Sequence, residues 1–132
     1  MSLSTVRVLV VDDYEPFRRF LCSILGKNPV LQIVGEVSDG LDAVQKAREL
    51  KADLIFLDIG LPTLNGIEVA RRIRTLIPES KIIFVSQESS PDVIQAALSL
   101  GAWGYVWKAK SGSDLVAAVE AVLLGKLFVS SM

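Results

Sequence analysis

Asp12 and Asp13 follow the apolar run VRVLVV, Asp58 follows LIFL, Ser86 follows KIIFV, and Lys108 follows GYVW. If these runs are neighbouring strands, three carboxylates, a hydroxyl and an ammonium converge on one edge of a sheet. Clustered carboxylates repel one another unless a cation offsets them. Mg²⁺, or Mn²⁺ in its place, suits an all-oxygen donor set and keeps several waters. Asp13 and Asp58 are the expected direct carboxylate ligands, with Asp12 acting partly through water. A backbone carbonyl just after Asp58, that of Gly60, completes the protein's share. Phosphoryl transfer needs little beyond in-line positioning and charge stabilisation on the equatorial oxygens. Asp58 is the candidate nucleophile, because a carboxylate can form an aspartyl phosphate. Ser86 would donate a hydrogen bond to the new group, and Lys108 would neutralise its oxygens.

Taken singly, each residue has a plainer reading. Asp12-Asp13 would cap a helix that begins near Glu15 and Pro16. Asp58 would be a turn residue before Pro62, Ser86 an ordinary serine after a strand, and Lys108 a solvated charge. The joint pattern is more specific, because all these polar groups fall at the ends of runs chosen by hydrophobicity alone. The chain has no histidine, which removes the commonest general base and zinc ligand. Its single cysteine, Cys22, cannot form an internal disulfide and sits among Phe20, Leu21, Ile24 and Leu25. It reads as core packing in a reducing cytosol. A net charge of −1 recommends no nucleic-acid or membrane-surface partner, and no secretory signal or apolar span long enough for a bilayer is visible.

The elements that must position these groups follow from periodicity. Val6–Val11, Leu31–Val37, Leu54–Leu57, Lys81–Val85 and Gly104–Trp107 are short and rich in β-branched residues. Their near-continuous hydrophobicity is what a parallel sheet covered on both faces requires. Between them lie amphipathic helical stretches. The first carries Phe17, Phe20, Leu21, Ile24 and Leu25 and stops at Gly26. The second is Leu41–Leu50. The third carries Ile67, Ala70, Ile73 and Ile77 and ends at Pro78. The fourth starts at Ser90-Pro91. The last, capped by Ser111 or Ser113, carries Leu115, Val119, Val122 and Leu123. The alternation predicts an α/β fold, a doubly wound (βα)5 three-layer sandwich. The parallel order 2-1-3-4-5 is borrowed from flavodoxin-like sheets, whose sites lie beyond the carboxyl ends of the strands. At 132 residues the chain holds one domain, expected over residues 5–128, with 1–4 and 129–132 as tails.

At these residues the sequence resembles the receiver domain of bacterial two-component response regulators, a CheY-like fold, over essentially its whole length. The matching segments are VLVVDDYEPFR, LIFLDIGLPTLNGIE, FVS ending at Ser86, and GAWGYVWKAK. The resemblance implies that Asp58 accepts phosphate from a sensor histidine kinase or phosphotransfer protein, with Mg²⁺ at Asp12, Asp13 and Asp58. Ser86 and Lys108 would contact the phosphoryl group, and Tyr105 matches the aromatic that moves inward with Ser86 when the domain switches. Ala109 follows the lysine where many receivers have proline. Together with the ending LLGKLFVS, this resembles the NarL/FixJ-type branch, whose members usually carry a DNA-binding helix-turn-helix; no such output domain is expected within residues 1–132. Gly60, Gln87 and Glu88 match positions that tune phosphoryl lifetime. Gln87 stands where the family usually has a small residue.

The expected output surface is the fourth helix, fifth strand and fifth helix, serving a phosphorylation-dependent homodimer, with no direct nucleic-acid binding by this chain. Trp107 is read as core packing and Trp103 as exposed. Three rivals compete. A flavin protein would want a phosphate-cradling loop where the two aspartates stand. An aspartate phosphatase would want Asp-x-Asp. A degenerate receiver would act as a phosphorylation-independent interaction module, encouraged only by Gln87.

Overall fold

The computed structural model describes residues 5–131; the expected tail at 1–4 and the last residue lie outside them. Five helices alternate with the strands β1 (Val6–Val11), β2 (Leu31–Val37), β3 (Leu54–Leu57), β4 (Lys81–Ser86) and β5 (Gly104–Trp107). The helices are α1 (Glu15–Leu25), α2 (Gly40–Glu49), α3 (Gly66–Leu76), α4 (Pro91–Ser99) and α5 (Ser111–Leu123). All strand pairings are parallel, and the order is β2-β1-β3-β4-β5 with a sixth strand, β6 (Phe128–Val129), beyond β5. The expected α/β doubly wound architecture and its borrowed order are therefore present, extended by one strand.

Successive strand residues point to opposite faces, which divides the core in two. Leu9, Val11, Ile55, Leu57, Ile82, Phe84 and Tyr105 pack against Ala43, Ala47, Val69, Ala70, Ile73 and Ala97 of α2, α3 and α4. Val8, Val10, Leu54, Phe56, Ile83, Val85 and Val106 pack against Leu21 and Leu25 of α1 and Leu115, Ala118, Val119 and Val122 of α5. Apolar side chains are thus needed on both faces, which explains why the strands read as continuous hydrophobic runs. No helix of the described residues is long and apolar enough to cross a membrane.

Several local expectations differ from the structure. Phe20 and Leu123 belong to the helical stripes, yet each is 40% exposed, because the buried arc of each helix is narrower than its apolar arc. Trp103 is half-buried against the α1/α5 core with Lys81 Nζ 4.5 Å above its ring, whereas Trp107 lies half-exposed beside Phe17. The last helix begins at Ser111 itself, after a 3-10 turn over Lys108–Lys110, so neither serine caps it; Ser111 Oγ donates to the Lys108 carbonyl at 2.8 Å. Residue 129 is not tail: Val129 pairs with Tyr105, and the buried Ser130 donates its N–H to the Tyr105 carbonyl at 2.9 Å. Cys22 is half-buried, and burial together with Glu36 pushes its thiol up to about 11. Such a thiol is scarcely ionised at neutral pH, in keeping with packing rather than nucleophilic chemistry.

Candidate functional site

The carboxyl ends of β1, β3, β4 and β5 form one rim, because in a parallel sheet every strand ends on the same side. Asp12 directly follows β1, and its amide donates to the Val37 carbonyl at 3.0 Å. Its Oδ1 accepts the Tyr14 N–H at 2.9 Å, tightening the turn into α1. The capping reading of Asp12-Asp13 is thereby corrected. The N-cap position belongs to Tyr14, which makes no side-chain cap, and Pro16 occupies the first turn. Arg18 donates from Nη1 to the Asp12 carbonyl at 2.9 Å and pairs through Nε with Glu36 at 3.1 Å, fixing the loop from behind.

Asp58 follows β3. Its amide donates to the Val11 carbonyl at 3.1 Å, and its Oδ1 accepts the Ile59 N–H at 2.8 Å. The backbone here is held from beneath by α3: the Gly66 N–H donates to the Ile59 carbonyl at 2.7 Å. A Cβ on Gly66 would lie 2.0 Å from the Asp58 carbonyl oxygen, so only glycine allows α3 to start this close. Gly66→Ala is therefore expected to displace the Asp58 loop and to lower stability by about 2–3 kcal/mol. A urea midpoint equal to wild type would contradict this placement.

Oxygens of Asp12, Asp13 and Asp58 all lie within 4.8 Å of one another. Asp12 and Asp58 are buried, and Asp13 is exposed at the mouth. Lys108, just past β5, reaches across with Nζ 2.9 Å from Asp12 Oδ2 and 3.2 Å from Asp58 Oδ2. One ammonium thus pairs with two of the three carboxylates. Burial works against the Lys108 charge, but the hydrogen bond to Asp12 and the field of both carboxylates outweigh it and hold its pKa above the ordinary value. Burial raises the Asp58 pKa; the Lys108 charge pulls it down, and the Asp12 carboxylate pushes it further up. Asp12 Oδ2 is fully buried and, the Lys108 ion-pair contact apart, has no aligned hydrogen-bond donor among the described residues. A buried, under-satisfied carboxylate oxygen among all-oxygen donors fits a hard divalent cation.

Two of the carboxylates and the ammonium border an open cleft of about 510 Å³ that Asp13, Asp58, Gly60, Ser86, Gln87, Glu88 and Lys108 line, while Asp12 lies buried behind it. A side chain at Gly60 would meet nothing, so this wall is open. Ser86 Oγ accepts the Glu88 N–H at 3.1 Å. Tyr105 does not reach the cleft. It is buried under the loop after β4, and its hydroxyl donates to the Glu88 carbonyl at 2.7 Å. Burial pushes its phenol pKa up, with Ser86 pulling the other way. Ser86 and Tyr105 therefore hold the same short loop from two sides.

Two residues the sequence reading did not place at the site also belong to it. Tyr14 lines the cleft, 63% exposed. Phe17, read only as part of a core stripe, lies with its ring 4.5 Å from Lys108 Nζ. The available signal was position: both fall in the first turn after the aspartate pair, the segment that must pass over the strand ends.

Comparison with known proteins agrees with this geometry. A family model described as the response regulator receiver domain matches residues 8–120. Response regulator GacA of Pseudomonas viridiflava is 32% identical over 125 residues, which are 95% of this chain and 58% of that protein. The DNA-binding transcriptional activator DevR/DosR of Mycobacterium tuberculosis is 35% identical over 121 residues, 92% of this chain and 56% of that one. The crystal structure of a LuxR-family two-component response regulator from Aurantimonas sp. superposes with a TM-score of 0.88 at 31% identity, over 95% of this chain and 89% of that one. The chain thus spans a little over half the length of these curated relatives.

Proposed function

Because the chain belongs to the response regulator receiver domain family, we propose that Asp58 accepts a phosphoryl group from a histidine kinase or phosphotransfer protein, and that the fold passes the event to an output. One observation carries the reading: three carboxylates converge within 4.8 Å beside an open cleft, and the ammonium of Lys108 bridges two of them, Asp12 and Asp58.

In the step itself, a carboxylate oxygen of Asp58 attacks phosphorus. The bond from phosphorus to the donor nitrogen breaks, and that nitrogen leaves with the electron pair. Asp12, Asp13 and Asp58, with the Gly60 carbonyl, would hold Mg²⁺, which when bound neutralises charge on the phosphoryl oxygens. Lys108 is placed to move from Asp12 toward a phosphoryl oxygen while staying beside Asp58. Ser86 would donate its hydroxyl hydrogen to the same group. Gly60, Gln87 and Glu88 line the cleft and set how readily water reaches the phosphoryl group.

Phosphorylation adds about −1.5 to −2 charges and three strong acceptors. Moving a two-state switch from 1:99 to 99:1 takes roughly 5.5 kcal/mol, and hydrogen bonds to charged groups contribute about 1.5–3 kcal/mol each. New bonds from Ser86 and Lys108 would together supply about 3–6 kcal/mol toward it, less what Lys108 gives up in leaving Asp12. The loop that Ser86 and Tyr105 share is the moving part. The output surface is then α4 and α5, with β6 rather than β5 at the sheet edge between them, and it would serve a homodimer. Given relatives named as transcriptional regulators, the output is transcription in the cytoplasm, through a DNA-binding unit outside residues 5–128.

Incubating the protein with a small acyl phosphate and Mg²⁺ tests this by intact mass. Wild type is expected to gain one phosphoryl group, and Asp58→Ala none. Labelling that persists in Asp58→Ala would move the acceptor elsewhere. A wild type that never labels would favour a phosphorylation-independent interaction module.

A further inference from the structure

Lys108 is nearly enclosed: its side chain is 12% exposed, two of its neighbours are carboxylates, and the third is an aromatic face. An ammonium has three N–H donors. Asp12 Oδ2 and Asp58 Oδ2 account for two of its contacts, at 2.9 and 3.2 Å. The Phe17 ring, whose centroid lies 4.5 Å from Nζ, occupies the remaining side. The negative face of an aromatic ring attracts a cation at this range, more strongly when water is excluded. The ring is itself held in place. Phe17 packs on the α1/α5 core and against Phe20 at a centroid distance of 5.7 Å. Its backbone lies in the first turn of α1, which starts from the loop that carries Asp12 and Asp13.

We infer that Phe17 is a positioning residue for Lys108, its ring face holding the ammonium at the rim while the ammonium exchanges Asp12 for a phosphoryl oxygen. The carboxylates alone do not fix that place. They draw the ammonium inward, toward Asp12, whereas a phosphoryl group would form on the cleft side of Asp58. A ring that contacts the ammonium without competing for its charge supports both positions, which a third carboxylate or a polar side chain would not do. A leucine at residue 17 would fill much of the same space and supply no negative face. The inference rests on the acceptor reading above for its consequence in phosphorylation, and on geometry alone for the contact.

The test uses the 132-residue chain with phenylalanine analogues of increasing fluorination at residue 17, beside Phe17→Leu and Phe17→Trp. Fluorination leaves ring shape nearly unchanged and progressively removes the negative face. Two quantities are read: the rate of Asp58 labelling by a small acyl phosphate with Mg²⁺, and the ammonium resonance of Lys108 in protein labelled at lysine Nζ. Labelling is expected to fall in steps, to about three- to tenfold below wild type for the fully fluorinated ring and for Phe17→Leu. Phe17→Trp should keep the wild-type rate, and the Lys108 resonance should move in step with fluorination. A merely structural role would follow thermal stability, which the fluorinated rings leave near wild type. Equal rates and an unmoved Lys108 resonance across the fluorinated series would overturn the inference. If no variant labels and the resonance still moves, the ring–ammonium contact stands and the acceptor reading falls.

Discussion

Asp58→Asn should take no phosphoryl label and, in metal-free buffer at pH 7, should unfold at a higher temperature than wild type. The side chain is nearly enclosed beside Asp12, and burial holds its pKa above the ordinary carboxylate value, with Lys108 only partly offsetting that. A group whose folded pKa is raised is one whose neutral form the fold prefers. At pH 7 the ionised carboxylate therefore costs stability, and its neutral isostere relieves that cost. The gain is full above the raised folded pKa. It shrinks as pH falls through that value toward the ordinary one and is gone below it, where both states are protonated and wild type itself is neutral. A rise of about 2–5 °C is expected. Mg²⁺ should reverse the order, because the wild-type trio gains a ligand that the amide weakens. An Asp58→Asn protein that melts below wild type at pH 7 without metal would show that the Lys108 pair outweighs burial.

The opposite substitution pattern is expected at Lys108. Lys108→Met keeps the apolar stem and removes the charge that Asp12 Oδ2 and Asp58 Oδ2 share. Breaking a buried pair from one side leaves the other charge uncompensated, which costs several kcal/mol in closed sites. Here the adjoining cleft admits water, so about 2–4 kcal/mol is expected. The same change frees the carboxylates for a divalent cation, so Mg²⁺ should raise the melting temperature of Lys108→Met more than that of wild type. Labelling of Asp58 should still fall by about a hundredfold or more, as when a preorganised donor to a developing oxyanion is removed. Equal Mg²⁺-induced shifts in the two proteins would mean that the ammonium and the cation do not compete for the same oxygens.

Much of this was legible in the sequence, for an identifiable reason. A parallel sheet buried on both faces needs unbroken apolar runs, so β1, β2, β3 and β5 have the bounds that VRVLVV, LQIVGEV, LIFL and GYVW suggest. Where such a run stops, the next residue stands at the rim, which is why Asp12, Asp58 and Lys108 meet there. What escaped depends on side-chain reach or on very short pairing. Nothing in the spacing says that Lys108 bridges Asp12 and Asp58 rather than pointing to water, nor that Phe17 lies beside it instead of deeper in the core. Tyr105 hydrogen-bonds a backbone carbonyl, which no residue type announces. The two tryptophans differ from expectation because Lys81 covers the ring that precedes the strand, while the one that ends it faces the open groove near Phe17. Phe128-Val129 is too brief to carry any periodicity.

That brief strand has a consequence for solubility. Without it, Gly104–Trp107 would be the outer strand of the sheet, offering unpaired N–H and C=O groups to any other chain in extended conformation. Two residues cover this edge, and Ser130 fastens them, accepting the Trp107 N–H at 3.1 Å and donating to Asp114 Oδ2 at 2.7 Å. Edge protection in this molecule therefore rests on this serine hydroxyl together with two short backbone bonds, Phe128 N–H to the Trp103 carbonyl at 3.1 Å and Ser130 N–H to the Tyr105 carbonyl at 2.9 Å. Loss of that fastening would turn the strand that leads to Lys108 into a template for intermolecular β-pairing and aggregation.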